Sequence, residues 1–394
     1  GYNYFDSPSI MLRLKIFFLI FVFSLSIFVA HILITKNAIF ADAQFYWSIT
    51  HSLVKDENVD FSNEFNHFGL KMAENLKGFP INFYPPGAAF FWIPGYWFAE
   101  TISVFLSKTN SEGYGVIHQF AVAVNSIFLG IIGVYFMYLT LRRNFSEKIS
   151  LLTSFTFFAA TNLLFYIAVE PITSHAVAFF VSSFFVYLFI TLPIGTLNYF
   201  FLGLLVGIAG LVRTQDLGLV LLPLIKMFSE RKIRALISLT AGIILGFAPQ
   251  LLFWKFFYGT IWRSPYLDYG FIFTISRLLH VLVNFQNGLF TITPLILFAL
   301  IGLVLFVKRG RKIAIYSLTY FIFQLILVSS WRDYTQGGSF GIRMLITTYP
   351  LLSFGLASIV KLSTEKMGLK ITLATILILS CINMLLILRY LLMY

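Results

Sequence analysis

The chain is short of charge, short of cysteine and short of any long polar stretch. Of its 394 residues only 11% are charged, against 59% hydrophobic. A soluble domain carries roughly 25% charged residues, so this chain cannot cover a water-facing surface of its own size. The single cysteine, Cys381, lies in the last apolar run, which excludes an intrachain disulfide and a thiolate metal cluster. No polar segment is long enough for a separate soluble domain, and no internal repeat is evident, which counts against transporter folds built from two related halves.

Apolar runs fill the rest. Stretches such as 11–34, 116–141, 235–257 and 371–388 each reach the roughly 20 residues that cross a hydrocarbon core. The reading is an all-α polytopic membrane protein with one transmembrane domain over 11–394. Residues 1–10 precede a natural-looking start, Met11-Leu-Arg-Leu-Lys15, and are set aside as a tag or N-terminal extension. The first run is too long and too hydrophobic for a cleaved signal. The net charge of +12 is not read as a nucleic-acid footprint, because the basic residues sit in short loops, as the positive-inside rule expects.

Those loops set the topology. The clusters are Arg13/Lys15, Arg142/Arg143/Lys148, Arg231/Lys232/Arg234, Lys308/Arg309/Arg311/Lys312 and Lys361/Lys366/Lys370. With all of them inside, an even number of crossings separates neighbours. One of the three apolar stretches before Arg142 therefore cannot cross. The stretch 84–107 holds Pro85, Pro86, Pro94, Gly95 and Glu100, so it is expected to break and lie at the interface. Residues 35–115 then form one large external loop. The remaining crossings are expected near 149–168, 174–192, 198–213, 217–228, 235–257, 287–307, 314–330, 342–360 and 371–393, about eleven in all.

Ionisable residues at membrane depth usually mark function, and they collect on the expected external side. In Phe40-Ala-Asp42-Ala-Gln44-Phe-Tyr46-Trp47 an acid at the membrane edge is partly desolvated, which suits a general base; Asp42 equally suits the cap of a helix starting at Ala43. Tyr84-Pro-Pro-Gly87 fixes a rigid turn at a helix start. Glu170 and His175, at the outer end of a span, read as a shared site, a weak pair of metal ligands or a structural hydrogen-bonded pair. Gly203, Gly207 and Gly210 permit close helix packing and lead to Arg213, read either as a forked donor to a lipid phosphate or as the partner of Asp216. Gly337-Gly-Ser-Phe-Gly341 lets a backbone approach a ligand closely, between Arg332 and Arg343. Tyr46, Trp47, Tyr84, Trp92, Tyr96, Trp97, Trp262, Tyr266 and Tyr269 read as an interfacial aromatic belt, and the 47 phenylalanines as lipid-facing bulk.

The ordered set resembles the integral-membrane C-type (GT-C) glycosyltransferases, the superfamily of the protein O-mannosyltransferases and the aminoarabinose transferases of lipid A. It is most similar to small prokaryotic members without a soluble C-terminal domain. The set runs from a first span and an external acid with Tyr/Trp, through Tyr84-Pro-Pro-Gly87, His175 and Leu211-Val-Arg213. It continues with Tyr258-Gly259, Asn287-Gly-Leu-Phe290 with Pro294, and the glycine-rich stretch ending at Arg343. The resemblance implies transfer of a sugar from a polyprenyl-phosphate donor to a lipid, glycan or protein acceptor hydroxyl at the outer face of a prokaryotic plasma or inner membrane, with inversion. By position Asp42 matches the catalytic base. The family's second adjacent acid is missing here, and Glu170 is the candidate for its place. Arg213, Arg332 and Arg343 are the candidates to hold the departing phosphate, with His175, Tyr84 and Tyr46 beside them. No cofactor is expected, a divalent metal on Glu170/His175 being the one exception weighed. A lipid-linked saccharide flippase and a membrane scaffold are the alternatives from other classes.

Overall fold

The computed structural model describes residues 10–106, 112–193, 195–231, 233–265 and 270–393. All but the last residue of the expected N-terminal extension, and Tyr266 and Tyr269 of the expected belt, lie outside them. Every named element is a helix. They are α1 (Ile10–Thr35), α2 (Asp42–Val54), α3 (Ser62–Phe68), α4 (Gly87–Phe105), α5 (Val116–Leu141), α6 (Glu147–Ala159), α7 (Ser174–Thr191) and α8 (Thr196–Val212). Then come α9 (Leu221–Ser229), α10 (Ala235–Tyr258), α11 (Ile275–Val283), α12 (Leu289–Ile292), α13 (Leu295–Lys308), α14 (Lys312–Ser330), α15 (Tyr349–Met367) and α16 (Leu369–Met393). A π-helical turn (Phe165–Val169) precedes α7, and 3-10 turns (Thr214–Val220 and Arg343–Thr348) lead into α9 and α15.

Among the described residues seven helices are long and apolar enough to cross a membrane: α1, α5, α7, α10, α14, α16 and the run Arg343–Met367. Each coincides with an expected span. The other four expected spans are short or interrupted. Helix α6 stops at Ala159 and resumes as the π turn; α8 and α13 have 17 and 14 residues; α9 has 9 after its 3-10 lead-in. Pro294 accounts for the late start of α13, since its ring fits the first helical turn and not an interior.

The stretch 84–107 does not break as expected. Helix α4 runs through Pro94. A proline loosens the turn before it, and here Asn125 on α5 donates to the Phe91 carbonyl in that turn at 2.6 Å. Gly95 lets α5 close in; a Cβ there would sit 2.8 Å from the Ala121 carbonyl oxygen. The charge bookkeeping for this region does agree with the fold. Arg13 at the start of α1, Arg142 at the end of α5 and Glu147 at the start of α6 meet at one end of the bundle, with N–O distances of 2.7 and 3.5 Å. The end of α1 and the start of α5 therefore lie at the opposite end.

Close packing is set by glycines. Helices α8 and α10 touch backbone to backbone: Cβ atoms at Gly203, Gly207, Gly242 and Gly246 would lie 2.1 to 2.5 Å from carbonyl oxygens of the facing helix. Gly302 of α13 and Gly355 of α15 meet the same way. The phenylalanines divide between two roles. Phe28, Phe157, Phe158, Phe179 and Phe185 are fully buried, whereas Phe18, Phe98 and Phe105 face outward. The outward apolar surface, which includes Leu19, Ile237 and Leu385, suits a lipid surround and not water.

Candidate functional site

Helix α2 begins at Asp42 itself, after Ala41, whose φ of 49° and ψ of −124° put a non-glycine residue in a sparsely populated region. Such a residue stores roughly 1–3 kcal/mol and persists only where its surroundings impose it. The expected cap is not formed: no side chain caps α2. The Asp42 carboxylate is directed sideways instead. Its Oδ2 lies 2.7 Å from Arg343 Nη2, and its Oδ1 accepts from the Tyr84 hydroxyl at 2.7 Å.

The Tyr-Pro-Pro-Gly turn explains that second bond. Asn82 donates to the Phe45 carbonyl at 2.8 Å and accepts from the Tyr84 amide at 3.0 Å, pinning the turn against α2. Tyr84 stacks on Phe45 at 4.7 Å and meets Tyr46 edge-on at 5.1 Å. Gly87 then starts α4 against the end of α8. A Cβ there would fall 2.5 Å from the backbone of Leu211 and Val212, so only glycine lets this turn reach the residue next to Arg213.

Arg213 follows directly. Its Nη1 donates to Ser174 Oγ at 2.9 Å and lies 3.3 Å from His175 Nδ1, and the Tyr46 hydroxyl donates to the same Ser174 oxygen at 3.1 Å. The alternative pairing with Asp216 does not occur. Asp216 is buried among Thr347, Tyr320 and Gln324, which reach its Oδ1 at 2.8, 3.3 and 3.4 Å. Arg213 forms no ion pair among the described residues. His175 is buried between Arg213 and the Tyr166 ring at 4.6 Å. A cation against the imidazole disfavours a metal there, and the described residues do not bring Glu170 and His175 into a ligand set.

The glycine-rich segment supplies the other wall. Gly337 and Gly341 both have positive φ, 58° and 68°. The Phe340 carbonyl between them accepts from Asn162 at 3.4 Å and Tyr166 at 3.3 Å, and Gln336 accepts from the Met344 amide at 3.2 Å. These bonds hold the turn that delivers Arg343 to Asp42. Arg332 is exposed and forms no ion pair among the described residues.

Asp42, Tyr46, Tyr84, Arg213, Arg332 and Arg343 together line a cavity of about 720 Å³. Phe83, Leu217, Phe271, Phe323, Leu327 and Met344 make its apolar walls. Glu170 does not line it. This acid sits in the turn before α7 without a side-chain hydrogen bond. Burial pushes its carboxyl up to about 7, with Arg343 opposing and Asp42 adding to the shift.

Six of the eight expected site residues thus line one cavity, with His175 just behind Arg213 and Glu170 acting on the site only through its charge. The sequence reading missed Gln215, Gln336, Trp331 and the apolar wall. One signal was present: Phe323 and Leu327, four residues apart, share one face of α14, and Trp331 follows directly after the helix ends. The expected aromatic belt is corrected. Trp47, Trp92 and Tyr96 are fully buried and Tyr46 nearly so, because α2 and α4 interlock their rings, Tyr46 with Trp92 at 6.0 Å and Trp47 with Tyr96 at 5.6 Å. Among its described members only Trp97 and Trp262 stand well exposed.

Comparison with models of protein families, and with curated proteins, returns no match.

Proposed function

We propose that this protein is a GT-C-like glycosyltransferase that takes a sugar from a polyprenyl-phosphate donor and passes it to an acceptor hydroxyl. One observation carries the reading: a carboxylate and three arginines converge on a single cavity with apolar walls, at one end of a bundle built for a membrane. A polyprenyl-phosphate sugar needs that combination, cations for the phosphate and an apolar surface for the chain. In this reading the chain crosses about eleven times, with α6, α8, α9 and α13 completing the short or broken crossings. The cavity faces outward from a prokaryotic plasma or inner membrane.

The chemistry follows from the residue types. Asp42 takes the proton of the acceptor hydroxyl, whose oxygen attacks the anomeric carbon from the side opposite the phosphate. The bond from that carbon to the phosphate oxygen breaks, and both its electrons leave with the phosphate. Arg213 and Arg332 hold the departing charge. Arg343 keeps Asp42 aimed until the acceptor displaces Tyr84 from the second oxygen. Inversion at the anomeric carbon is the stereochemical consequence. No resident metal is needed for these steps.

Transfer of labelled sugar from a polyprenyl-phosphate donor, measured on protein in nanodiscs, tests the reading. Asp42→Asn should lower turnover by about 10²- to 10⁴-fold. Full activity in a folded Asp42→Asn variant would sink the assignment of the base. Movement of labelled lipid-sugar across vesicles without a covalent product would favour a flippase instead.

A further inference from the structure

A second cluster of ligating groups lies at the other end of α2, and the proposed transfer reaction does not use it. His51 is in the last turn of α2, Asp56 in the turn that follows, and Glu64 in α3. His51 Nδ1 lies 2.8 Å from Glu64 Oε1 and 3.5 Å from Asp56 Oδ2, and one ligand atom from each of the three falls within 4.8 Å of the others.

Three features distinguish this group from a solvated acidic patch. Glu64 is fully buried, and among the described residues its Oε2 has no hydrogen-bond partner. A buried carboxylate oxygen left bare is costly, roughly 1–3 kcal/mol or more, and calls for an explanation. The far ring nitrogen of His51, Nε2, lies 2.9 Å from the Glu112 carbonyl oxygen. Donation from that nitrogen leaves Nδ1 as the ligating atom once its own proton is lost, the arrangement that metal-binding histidines adopt. The ring itself is clamped, stacked on Tyr114 at 4.6 Å and edge-on to Tyr96 at 6.1 Å.

We propose that His51 Nδ1, Asp56 and Glu64 bind one zinc ion that ties α2 to α3 and stiffens the segment carrying Asp42. An imidazole with two carboxylates is a zinc-type donor set; the 3.5 Å between His51 Nδ1 and Asp56 Oδ2 already suits two bonds of about 2.0–2.2 Å to one tetrahedral centre, and the 2.8 Å His51–Glu64 hydrogen bond opens by roughly half an ångström to admit the ion. The bare Glu64 oxygen completes the coordination or bonds a metal-held water. Binding requires the Nδ1 proton to leave, so zinc competes with protonation at this nitrogen. Without metal, burial of His51 lowers its pKa, but the Glu64 and Glu112 bonds and the Glu64 and Asp56 charges outweigh that effect and raise it. The ion is structural in this assignment and independent of the transferase reading.

The test uses the full chain in detergent without a polyhistidine tag, stripped with EDTA and titrated with zinc chloride. Calorimetry and elemental analysis should find about one zinc per chain, released at acid pH. Asp56→Asn should weaken binding by at least about ten-fold and Glu64→Gln should abolish it, while Glu100→Gln leaves it unchanged. Zinc should raise the melting temperature of the wild type and not of Asp56→Asn. Absence of saturable zinc uptake would overturn the proposal, as would wild-type affinity in either site variant. Should Glu64→Gln fail to fold, Asp56→Asn decides alone, since its side chain is 24% exposed at the rim of the cluster.

Discussion

The two ends of the bundle hold the same chemistry in opposite states. At one end Glu147, with a side chain 7% exposed, meets Arg13 at 2.7 Å, Arg142 at 3.5 Å and the Tyr138 hydroxyl at 3.1 Å. At the other end Asp42, 25% exposed, meets Arg343 and the Tyr84 hydroxyl, both at 2.7 Å. Each is a carboxylate held by arginine and a tyrosine. Their surroundings differ. Glu147 is closed in, with its charge matched by arginines on two helices. Asp42 opens on a cavity, with Arg213 and Arg332 unmatched by any acid among the described residues. A paired carboxylate is therefore not in itself a site. Open volume and surplus cations are what separate the proposed site from the locking end.

The comparison can be broken at either end. The largest expected effect is the loss of about 10²- to 10⁴-fold in turnover for Asp42→Asn, with the melting temperature almost unchanged. Glu147→Gln should do the reverse: destabilise by about 1–3 kcal/mol in thermal or denaturant melts, and leave turnover per folded molecule alone. An equal loss of stability in both variants would erase the distinction. Arg332→Ala sharpens it further. This exposed arginine has no ion-pair partner among the described residues to orphan, so KM for the proposed polyprenyl-phosphate donor should rise several-fold at constant stability.

The smallest effect concerns Glu170. Its carboxyl has an ordinary value of 4.5 and rises to about 7 in the fold, so the folded state holds a proton that the unfolded chain releases. The stabilisation is complete below about 4.5 and is lost as pH rises through about 7. Glu170→Gln should flatten the fall in melting temperature between pH 5 and 8. An unaltered pH slope would show that Glu170 does not titrate in that window.

Much of this was legible along the chain. Seven spans could be placed from apolar length alone, because a helix in lipid must satisfy its own backbone and needs about 20 residues to cross. Asp42, Tyr84, Arg213, Arg332 and Arg343 stood out as polar groups among apolar ones. The role of Asp42 was less visible. A cap and a cavity-facing acid look identical in sequence, and the strained Ala41 that turns the side chain away from the helix end is an ordinary alanine on paper. The break expected at Pro94 did not occur: α4 continues through it, and Asn125, 31 positions on, ties the loosened turn to α5 through the Phe91 carbonyl. His51, Asp56 and Glu64 went unnoticed since their spacings of five and eight follow no helical face.

Composition and charge placement by themselves determined that the chain is helical, apolar outside and polar at its loops, because those properties depend on the surface a segment presents to its surroundings. Only the tertiary structure decided which polar residues meet. Glycine contacts at α8, α10 and Gly87 set how closely backbones approach, and that approach brings Asp42, Arg213 and Arg343, some 170 to 300 positions apart from first to last, around one cavity. Contacts of that kind depend on shape complementarity between distant segments, which no local pattern records.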